Sequence, residues 1–268
     1  FFNYRGYLGM SGFTTSNVDN ANNGYKLPFA TVLTCGTGSF AEDQTSMSEK
    51  FFRAGSATNP KGGVAAIGTA TWNTHTLFNN IVDMGIYDGL LADDVETAGA
   101  ALASGKFALY SAYPGNPYEW ISSFTHWNNL MGDPATHLWT DTPETITVDH
   151  PEIVPFGTNY IDINVYDSNN NPVEDALVTL MFESNPHDPD AIGNNYFTDT
   201  SGNIRIEINN SVSGNIPVTV TKNNIKPYEG SILIDEDQLS VNIDPESNLS
   251  IEGFAIAGNS INVSIPLK

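Results

Sequence analysis

The stretch LPFATVLTC, residues 27 to 35, is a continuous apolar run that ends at the only cysteine of the chain. A second run of this kind, GGVAAIGTAT, covers residues 62 to 71. Such runs are typical of strands that are buried on both faces of a mainly parallel sheet. The two runs therefore predict neighbouring strands at the centre of an α/β sheet.

The segments that follow these two strands carry helical patterns. SMSEKFFRAG, at 46 to 55, has helical spacing and a glycine stop, and the segment 93 to 113 has an acidic first turn and an alanine-rich body. Between them, the segment 75 to 91 has four apolar residues spaced as one helical face. These are Leu77, Ile81, Met84 and Tyr87. The order strand, helix, strand, helix, helix predicts an α/β domain over residues 1 to 143.

The chain beyond Pro143 alternates as strands do. Ile161, Ile163 and Val165 fall on one face of NYIDINVYDS, and further short strands follow with turn signals about every 8 to 12 residues. This pattern predicts an all-β immunoglobulin-like sandwich over residues 144 to 236. Residues 237 to 268 hold more strands, which form either an extra edge of the sandwich or the start of another β domain.

Composition excludes several classes of protein. The net charge of the 268 residues is −21, from 31 acidic against 10 basic side chains, and phosphate binding needs clustered Lys and Arg. We therefore expect no nucleic-acid partner. We also expect no membrane span, because no apolar run reaches about 18 residues. The chain opens on FFNYRGYLGM, which is typical of a strand end rather than a signal peptide and predicts a piece of a larger protein.

Two roles are open for Cys35. A cysteine that ends a strand and precedes Gly36-Thr37-Gly38 lies at the carboxyl edge of the sheet, where α/β active sites gather. There, backbone N–H groups near Gly36 and Gly38 can stabilise an oxyanion. Free cysteines are also commonly buried as small hydrophobic residues. The sequence motif alone is compatible with both a nucleophile and a core residue.

A catalytic cysteine needs a base, which is usually a histidine. His75 follows the second buried strand, so a parallel sheet places it at the same edge as Cys35. It is the candidate base, although a lone histidine is more often structural. Four other histidines lie in a helical pattern, in the segment that closes the first region, or in the β region. They are His126, His137, His150 and His187.

Acidic residues give a weak signal for a cation. Glu42 and Asp43 follow the cysteine loop and are candidates to shape a pocket or to bind a cation. Asp188 and Asp190 lie in an acidic loop of the β region, and carboxylates are ligands for structural Ca²⁺. The spacing is not that of a helix-loop-helix calcium site. No cofactor is required, and no zinc, phosphate-loop or dinucleotide motif is present.

Taken in order, NYRGY, LPFATVLTCGTGSFA, KGGVAAIGTAT and GDPATHLWTDTP resemble the C-terminal half of the catalytic domain of the gingipain family of cysteine peptidases. The resemblance covers residues 3 to 143. VTVTKNNIKPYEGSI, at 218 to 232, is similar to part of the immunoglobulin-like domain that follows the catalytic domain in that family. The resemblance implies a partial caspase-like α/β domain, three-layered with a mostly parallel sheet, with Cys35 as the nucleophile. It also implies a secreted bacterial surface protein, exported by the type IX route, and calcium sites.

The sequence departs from the family at the catalytic histidine. That residue lies in a Gly-His-Gly type motif at the end of the strand before the cysteine strand, and Tyr7 and Leu8 stand there instead of His and Gly. A phenol is a poor base near neutral pH, because its pKa is about 10. Two interpretations follow. Either His75 substitutes as the base, or the domain no longer cleaves peptides.

The function predicted from these residues is a fragment of a secreted gingipain-like cysteine endopeptidase that acts on a peptide or protein substrate. The alternative is an inactive surface, adhesion or assembly module. The N-terminal half of the catalytic domain is absent from this sequence. We expect it to come from another piece of the precursor or from a neighbouring subunit, because a half-sheet leaves a strand edge exposed.

Overall fold

A computed structural model describes residues 1–181, 195–208, 214–239, 254–257 and 260–263. The chain divides into two compact units, Phe1–Pro143 and Glu144–Lys268. The first is an α/β unit and the second consists of strands. Each is described by itself.

The first unit is described throughout and alternates strands with helices. Its elements are β1 (Phe2–Tyr4), α1 (Thr15–Asp19), β2 (Phe29–Val32), α2 (Met47–Arg53), β3 (Gly55–Ser56), β4 (Asn59–Pro60), β5 (Ala65–Thr69), α3 (Thr76–Leu91), α4 (Ala98–Ala112), a 3-10 turn (Pro117–Glu119), α5 (Trp120–Trp127) and β6 (Asn128–Met131). The order confirms the strand-helix alternation predicted from the two apolar runs.

The main sheet of this unit has the order β1-β2-β5-β6. Strands β1, β2 and β5 are parallel, with Ala30 opposite both Phe2 and Ala66, and β6 is antiparallel to β5. Every residue of β2 and β5 is buried, as the continuous apolar runs predict for central strands. Strands β3 and β4 form a separate short hairpin.

Alternate residues of the central strands enter two different cores. Phe29 of β2 and Ile67 of β5 pack with residues of α3, α4 and α5. Ala30 and Ala66 pack on the opposite side, with Val18 of α1 and Phe51 of α2 among others. The sheet therefore lies between two helical layers, which confirms the expected three-layer α/β architecture.

Helix α3 buries a face that only partly coincides with the one that its spacing predicts. Ile81 and Tyr87 are half-buried and pack against the core. Leu77 and Met84, in contrast, are 45% and 71% exposed, so the predicted face is confirmed only in part. The buried stripe is Phe78, Val82, Ile86 and Leu90. Both stripes have helical spacing, and tertiary packing decides between them. A Cβ on Gly85 would lie 2.5 Å from the Ala108 Cβ, so α4 approaches α3 on the side of this glycine.

The second unit contains strands in every described part. They are β7 (Thr147–Asp149), β8 (Ile153–Phe156), β9 (Tyr160–Tyr166), β10 (Leu177–Leu180), β11 (Asn195–Phe197), β12 (Asn203–Glu207), β13 (Gly214–Thr221), β14 (Tyr228–Leu239), β15 (Phe254–Ala257) and β16 (Ser260–Val263). One sheet has the order β11-β10-β13-β14-β8 and another has the order β12-β9-β7. Strands β15 and β16 pair with each other.

The two larger sheets of this unit share a single aliphatic core. Ile161 and Ile163 of β9 are buried with Val178 of β10 and Ile232 of β14, so the sheets pack face to face as a β-sandwich. Strand β14 continues to Leu239, past the boundary predicted at residue 236. The immunoglobulin-like classification stays a prediction. The candidate residues His187, Asp188 and Asp190 lie outside the described residues.

Candidate active site

Cys35 lies just beyond the carboxyl end of β2. Leu8, which follows β1, bridges to Cys35 in parallel register, and the Gly9 N–H donates to the Cys35 carbonyl oxygen at 3.1 Å. The cysteine is 5% exposed. The parallel pairing of β2 with β5 thus places the thiol at the edge of the sheet where α/β sites form.

The turn after Cys35 requires both of its glycines. Gly36 has φ +76°, and a Cβ there would lie 2.6 Å from the Trp72 ring, while a Cβ on Gly38 would lie 2.6 Å from the Gly68 backbone. The N–H of Gly36 donates to Thr71 O at 2.6 Å, and that of Gly38 donates to the Thr69 carbonyl at 3.0 Å. The oxyanion role predicted for these two N–H groups is therefore not available in this conformation.

Trp72 forms one wall of this turn. Its indole Nε1–H donates to Glu42 Oε1 at 2.7 Å, which holds the ring against Gly36. Glu42 therefore shapes the surroundings of Cys35, which is one of the two roles expected for it.

The sulfur of Cys35 has a hydroxyl partner. Cys35 Sγ lies 2.8 Å from Thr74 Oγ1, and the Asn79 side-chain amide donates to the same Thr74 oxygen at 3.2 Å. Thr74 follows β5 and Asn79 lies in the first turn of α3. Sequence reasoning missed both residues. The signal that points to them is a pair of polar residues where a buried strand passes into a helix.

His75 caps helix α3. Its Nδ1 accepts from the Leu77 N–H at 3.2 Å, and its exposed ring stacks on Trp120 with ring centroids 6.3 Å apart. A neutral imidazole that accepts at Nδ1 carries its proton on Nε2, so neither nitrogen is free to take a proton from Cys35. Within the described residues no histidine is hydrogen-bonded to the sulfur. The base role of His75 stays a prediction that this geometry does not favour.

Tyr7 lies at the same edge, directly before Leu8. Its side chain is 80% exposed and Leu8 is 56% exposed, so this segment faces solvent beside the buried thiol. The other described histidines have partners elsewhere. His126 bonds to the Ser122 carbonyl oxygen, His137 lies 3.6 Å from Glu96, and His150 contacts the Tyr228 hydroxyl.

The charged side chain of Arg5 lies close enough to Cys35 for an electrostatic interaction. Arg5 Nε donates to Asn80 Oδ1 at 2.9 Å, and Asn3 donates to both carboxylate oxygens of Asp83 at 3.1 Å. Burial lowers the pKa of Arg5, and its electrostatic interactions with Asp83 and Cys35 oppose that shift. Burial raises the pKa of Asp83 against the opposing effects of Asn3 and Arg5. Arg5 therefore interacts electrostatically with both Asp83 and Cys35.

The described part of the chain contains no group of three or more His, Cys, Asp or Glu side chains arranged to hold a metal ion. Calcium binding stays a prediction, since Asp188 and Asp190 are not among the described residues. Among the helices that the structure describes, none combines the length and apolar character that a membrane span requires.

Comparison with known proteins places the first unit. The family model of Peptidase family C25, the gingipain family, matches residues 1–139, which is more than half of the chain. The chain belongs to peptidase family C25. The resemblance to gingipains is thereby confirmed, and so is the caspase-like α/β fold of the first unit. No curated protein gave a significant match to this C25 chain.

Solved structures show the same fold. The crystal structure of the Arg-specific cysteine proteinase gingipain R (RgpB) is 20% identical with a TM-score of 0.70, and the match covers 87% of this chain and 52% of that chain. The complex of Porphyromonas gingivalis RgpB pro- and mature domains has the same identity and TM-score and covers 87% and 53%. The C25 chain described here thus spans about half the length of the gingipain chains that it matches.

Proposed function

We propose that the first unit is the nucleophile-bearing part of a secreted cysteine endopeptidase domain, with Cys35 as the nucleophile. The observation that carries this proposal is the position of the sulfur. It lies at the carboxyl edge of the parallel sheet and contacts the Thr74 hydroxyl at 2.8 Å. The substrate is a peptide or protein, whose carbonyl carbon the sulfur attacks.

Tyr7 is proposed to occupy the position of the family's histidine. In the reaction the Cys35 thiol loses its proton to solvent, a bond forms between the sulfur and the carbonyl carbon, the C–N bond breaks, and the departing amine takes a proton from solvent. Water then hydrolyses the thioester, which releases the acid and restores the thiol. A phenol is a poor base near neutral pH, so Tyr7 does not supply the general base that the family's histidine provides. Loss of a general base typically costs about 10²–10⁴-fold in rate, so we expect slow turnover.

A second candidate function is a non-hydrolytic surface, adhesion or assembly module built on the same fold. Two observations favour it. His75, the histidine next to Thr74 in sequence, caps a helix, and Cys35 itself is only 5% exposed. In this function the α/β unit is a scaffold and the sandwich provides contacts.

Labelling with a peptidyl acyloxymethyl ketone, followed by peptide mapping, separates the two functions. The peptidase proposal expects a covalent adduct on Cys35, none on the Cys35→Ala variant, and slow cleavage of a mixed peptide library. Absence of both the adduct and the cleavage, with a protein that remains folded by circular dichroism, supports the module instead.

Restoring a histidine tests the role of position 7. We expect Tyr7→His to raise kcat/KM for peptide cleavage by about 100-fold, because it supplies the missing general base. Tyr7→Phe is the matched control and does not raise it. A Tyr7→His variant that is labelled at Cys35 but cleaves no faster than the parent places the missing base elsewhere.

A partner segment is part of the proposal. The chain spans about half the length of the RgpB chains, and one of those structures is a complex of the mature domain with its pro-domain. We propose that the rest of the C25 domain comes from another piece of the precursor or from a neighbouring subunit. Native mass spectrometry of material from the producing cells tests this, since a lone 29.0 kDa species contradicts it.

The remaining features follow family membership. We propose a bacterial protein that is secreted or displayed at the cell surface by the type IX route, with an immunoglobulin-like sandwich as its second unit and structural Ca²⁺. Cell fractionation tests the location. A thermal shift in Ca²⁺ against a chelator tests the metal, and equal melting temperatures contradict it.

A further inference from the structure

The Thr74 hydroxyl connects Cys35 to a buried amide. Asn79 is 1% exposed, and its Nδ2 lies 3.2 Å from Thr74 Oγ1, which in turn lies 2.8 Å from the Cys35 sulfur. The three residues come from different parts of the fold, since Cys35 follows β2, Thr74 follows β5 and Asn79 belongs to α3. The contact is therefore built by the tertiary fold.

The direction of the hydroxyl follows from the amide. Because Asn79 donates to Thr74 Oγ1, the Thr74 proton does not point at Asn79 and can be donated to the sulfur, while the Cys35 S–H has a second acceptor, the Thr74 carbonyl oxygen, at 3.9 Å. The Asn79 Oδ1 atom is buried and has no hydrogen-bond partner among the described residues. A buried polar oxygen without a partner costs free energy. The hydrogen bond that the Asn79 amide does make here is the one to the Thr74 hydroxyl.

We infer that Thr74 and Asn79 are positioning residues for Cys35, with Asn79 directing the Thr74 hydroxyl so that it donates to the sulfur. A hydrogen bond to the charged form of a group favours that form, and the thiolate is the reactive form of cysteine. The hydrogen-bonded pair of Thr74 and Asn79 thus activates Cys35 without a histidine. The inference rests on the proposed function only in treating Cys35 as the nucleophile.

The reverse arrangement makes the opposite prediction. If the Asn79 amide is turned so that Oδ1 accepts from the Thr74 hydroxyl, the cysteine S–H becomes the donor to Thr74. The contact then holds Cys35 as a neutral thiol, and its removal increases the reactivity of the sulfur. The two arrangements are thus distinguished by whether removal of the Thr74 hydroxyl lowers or raises the reactivity of the Cys35 sulfur.

The experiment measures the second-order rate constant for alkylation of Cys35 by iodoacetamide at fixed neutral pH, in which the sulfur displaces iodide. We expect Thr74→Val to slow alkylation by about 10-fold or more, the usual scale for a hydrogen bond to a charged group, and Thr74→Ser to restore it. Asn79→Asp should slow it as well, since a carboxylate accepts the Thr74 proton. Asn73→Asp, an exposed position near the same turn, adds the same charge and should leave the rate near the parent value.

Several outcomes overturn the inference. They are an unchanged or faster rate in Thr74→Val, failure of Thr74→Ser to restore the rate, or equal slowing by Asn79→Asp and Asn73→Asp. If Asn79→Asp does not fold, the alkylation rates of Thr74→Val and Thr74→Ser still test the inference. Peptide cleavage is scored separately. If Thr74→Val slows alkylation but the parent cleaves no peptide, the positioning role of Thr74 is supported and the peptidase function is contradicted. If the peptidyl probe labels Cys35 equally in the parent and in Thr74→Val, the peptidase function is supported and the positioning role is contradicted.

Discussion

The two units differ in the kinds of side chain that they bury. Among the described residues, the second unit buries one polar side chain, Thr198, within a core of aliphatic residues. The first unit buries ten, and several lie around the turn that follows the cysteine strand. They are Thr31, Thr34, Thr37, Ser39, Ser46, Ser48, Thr69, Asn79, Asp83 and Asn128. Polar atoms without partners show the same asymmetry among the described residues, since the buried ones belong to Arg5, Ser39, Ser48 and Asn79.

The two kinds of buried side chain contribute differently to the free energy of unfolding. An aliphatic core gains free energy from every side chain that it buries, whereas a buried polar group contributes only when all its partners are in place. The second unit therefore has a core suited to stability. The first also buries polar groups, and one of them, the Thr37 hydroxyl, donates to the Thr34 carbonyl oxygen and accepts from the Thr69 N–H at the turn after Cys35. Three substitutions test this contrast.

The largest effect is expected in the aliphatic core of the second unit. Ile163 is fully buried, and Ile163→Ala removes its side chain from the shared core of the two sheets. We expect a loss of about 3 kcal/mol in the free energy of unfolding of this unit, measured by urea denaturation. Leu233→Ala is the matched control, because Leu233 is 40% exposed, and it should cost far less. Equal losses would contradict the contrast.

A smaller effect is expected at the buried hydroxyl of the second unit. Thr198 Oγ1 accepts from the Ala176 N–H at 2.9 Å and donates to the Val173 carbonyl oxygen at 2.6 Å. Thr198→Val leaves both backbone groups without this partner and should cost about 1–3 kcal/mol in unfolding free energy. Thr200→Val, at an exposed position on the same segment, is the control. A Thr198→Val variant as stable as the parent would show that this hydroxyl is dispensable.

The smallest effect, and the most specific, concerns the buried carboxylate of the first unit. Burial raises the pKa of Asp83, so the folded state holds this proton more tightly than the unfolded state, where the pKa is about 3.9. The stability that the protonated form provides is present below that pH and is lost as pH rises through the folded pKa. We expect Asp83→Asn to gain stability over the parent across this range, measured by unfolding at a series of pH values.

Asp88→Asn provides the reference for this measurement. It removes an exposed carboxylate from the same helix, α3, and so corrects for the change in net charge. The raised pKa of Asp83 would be contradicted if the difference in unfolding free energy between Asp83→Asn and the parent does not change with pH, or if it becomes smaller as pH rises.

The central strands of the first unit could be predicted from the sequence because they are buried on both faces. The two apolar runs became β2 and β5, and their parallel pairing puts Cys35 and Thr74 at one edge. The buried face of α3 could be predicted only in part, since Leu77 and Phe78 each begin a stripe of helical spacing. The choice depends on where α4 crosses, and the sequence of one helix does not contain that information.

The surroundings of the sulfur were predictable only in part. A glycine-rich turn after Cys35 indicated close backbone contacts, but the acceptors of the Gly36 and Gly38 N–H groups lie in a segment more than 30 residues away in sequence. A search for a histidine base pointed to His75, whereas the sulfur contacts the residue just before it. Threonine and asparagine at the start of a helix are typical of caps, so neither stood out as a partner of a thiol.

Trp72 gives this site an optical property. Its indole is bonded to Glu42 and packs on Gly36, the residue that follows Cys35, so any group attached to the sulfur changes the surroundings of this fluorophore. The chain has 4 tryptophans, and the difference between the emission of the parent and that of Trp72→Phe isolates the signal of this one. Acylation of the cysteine can therefore be followed in real time, without a reporter group on the substrate.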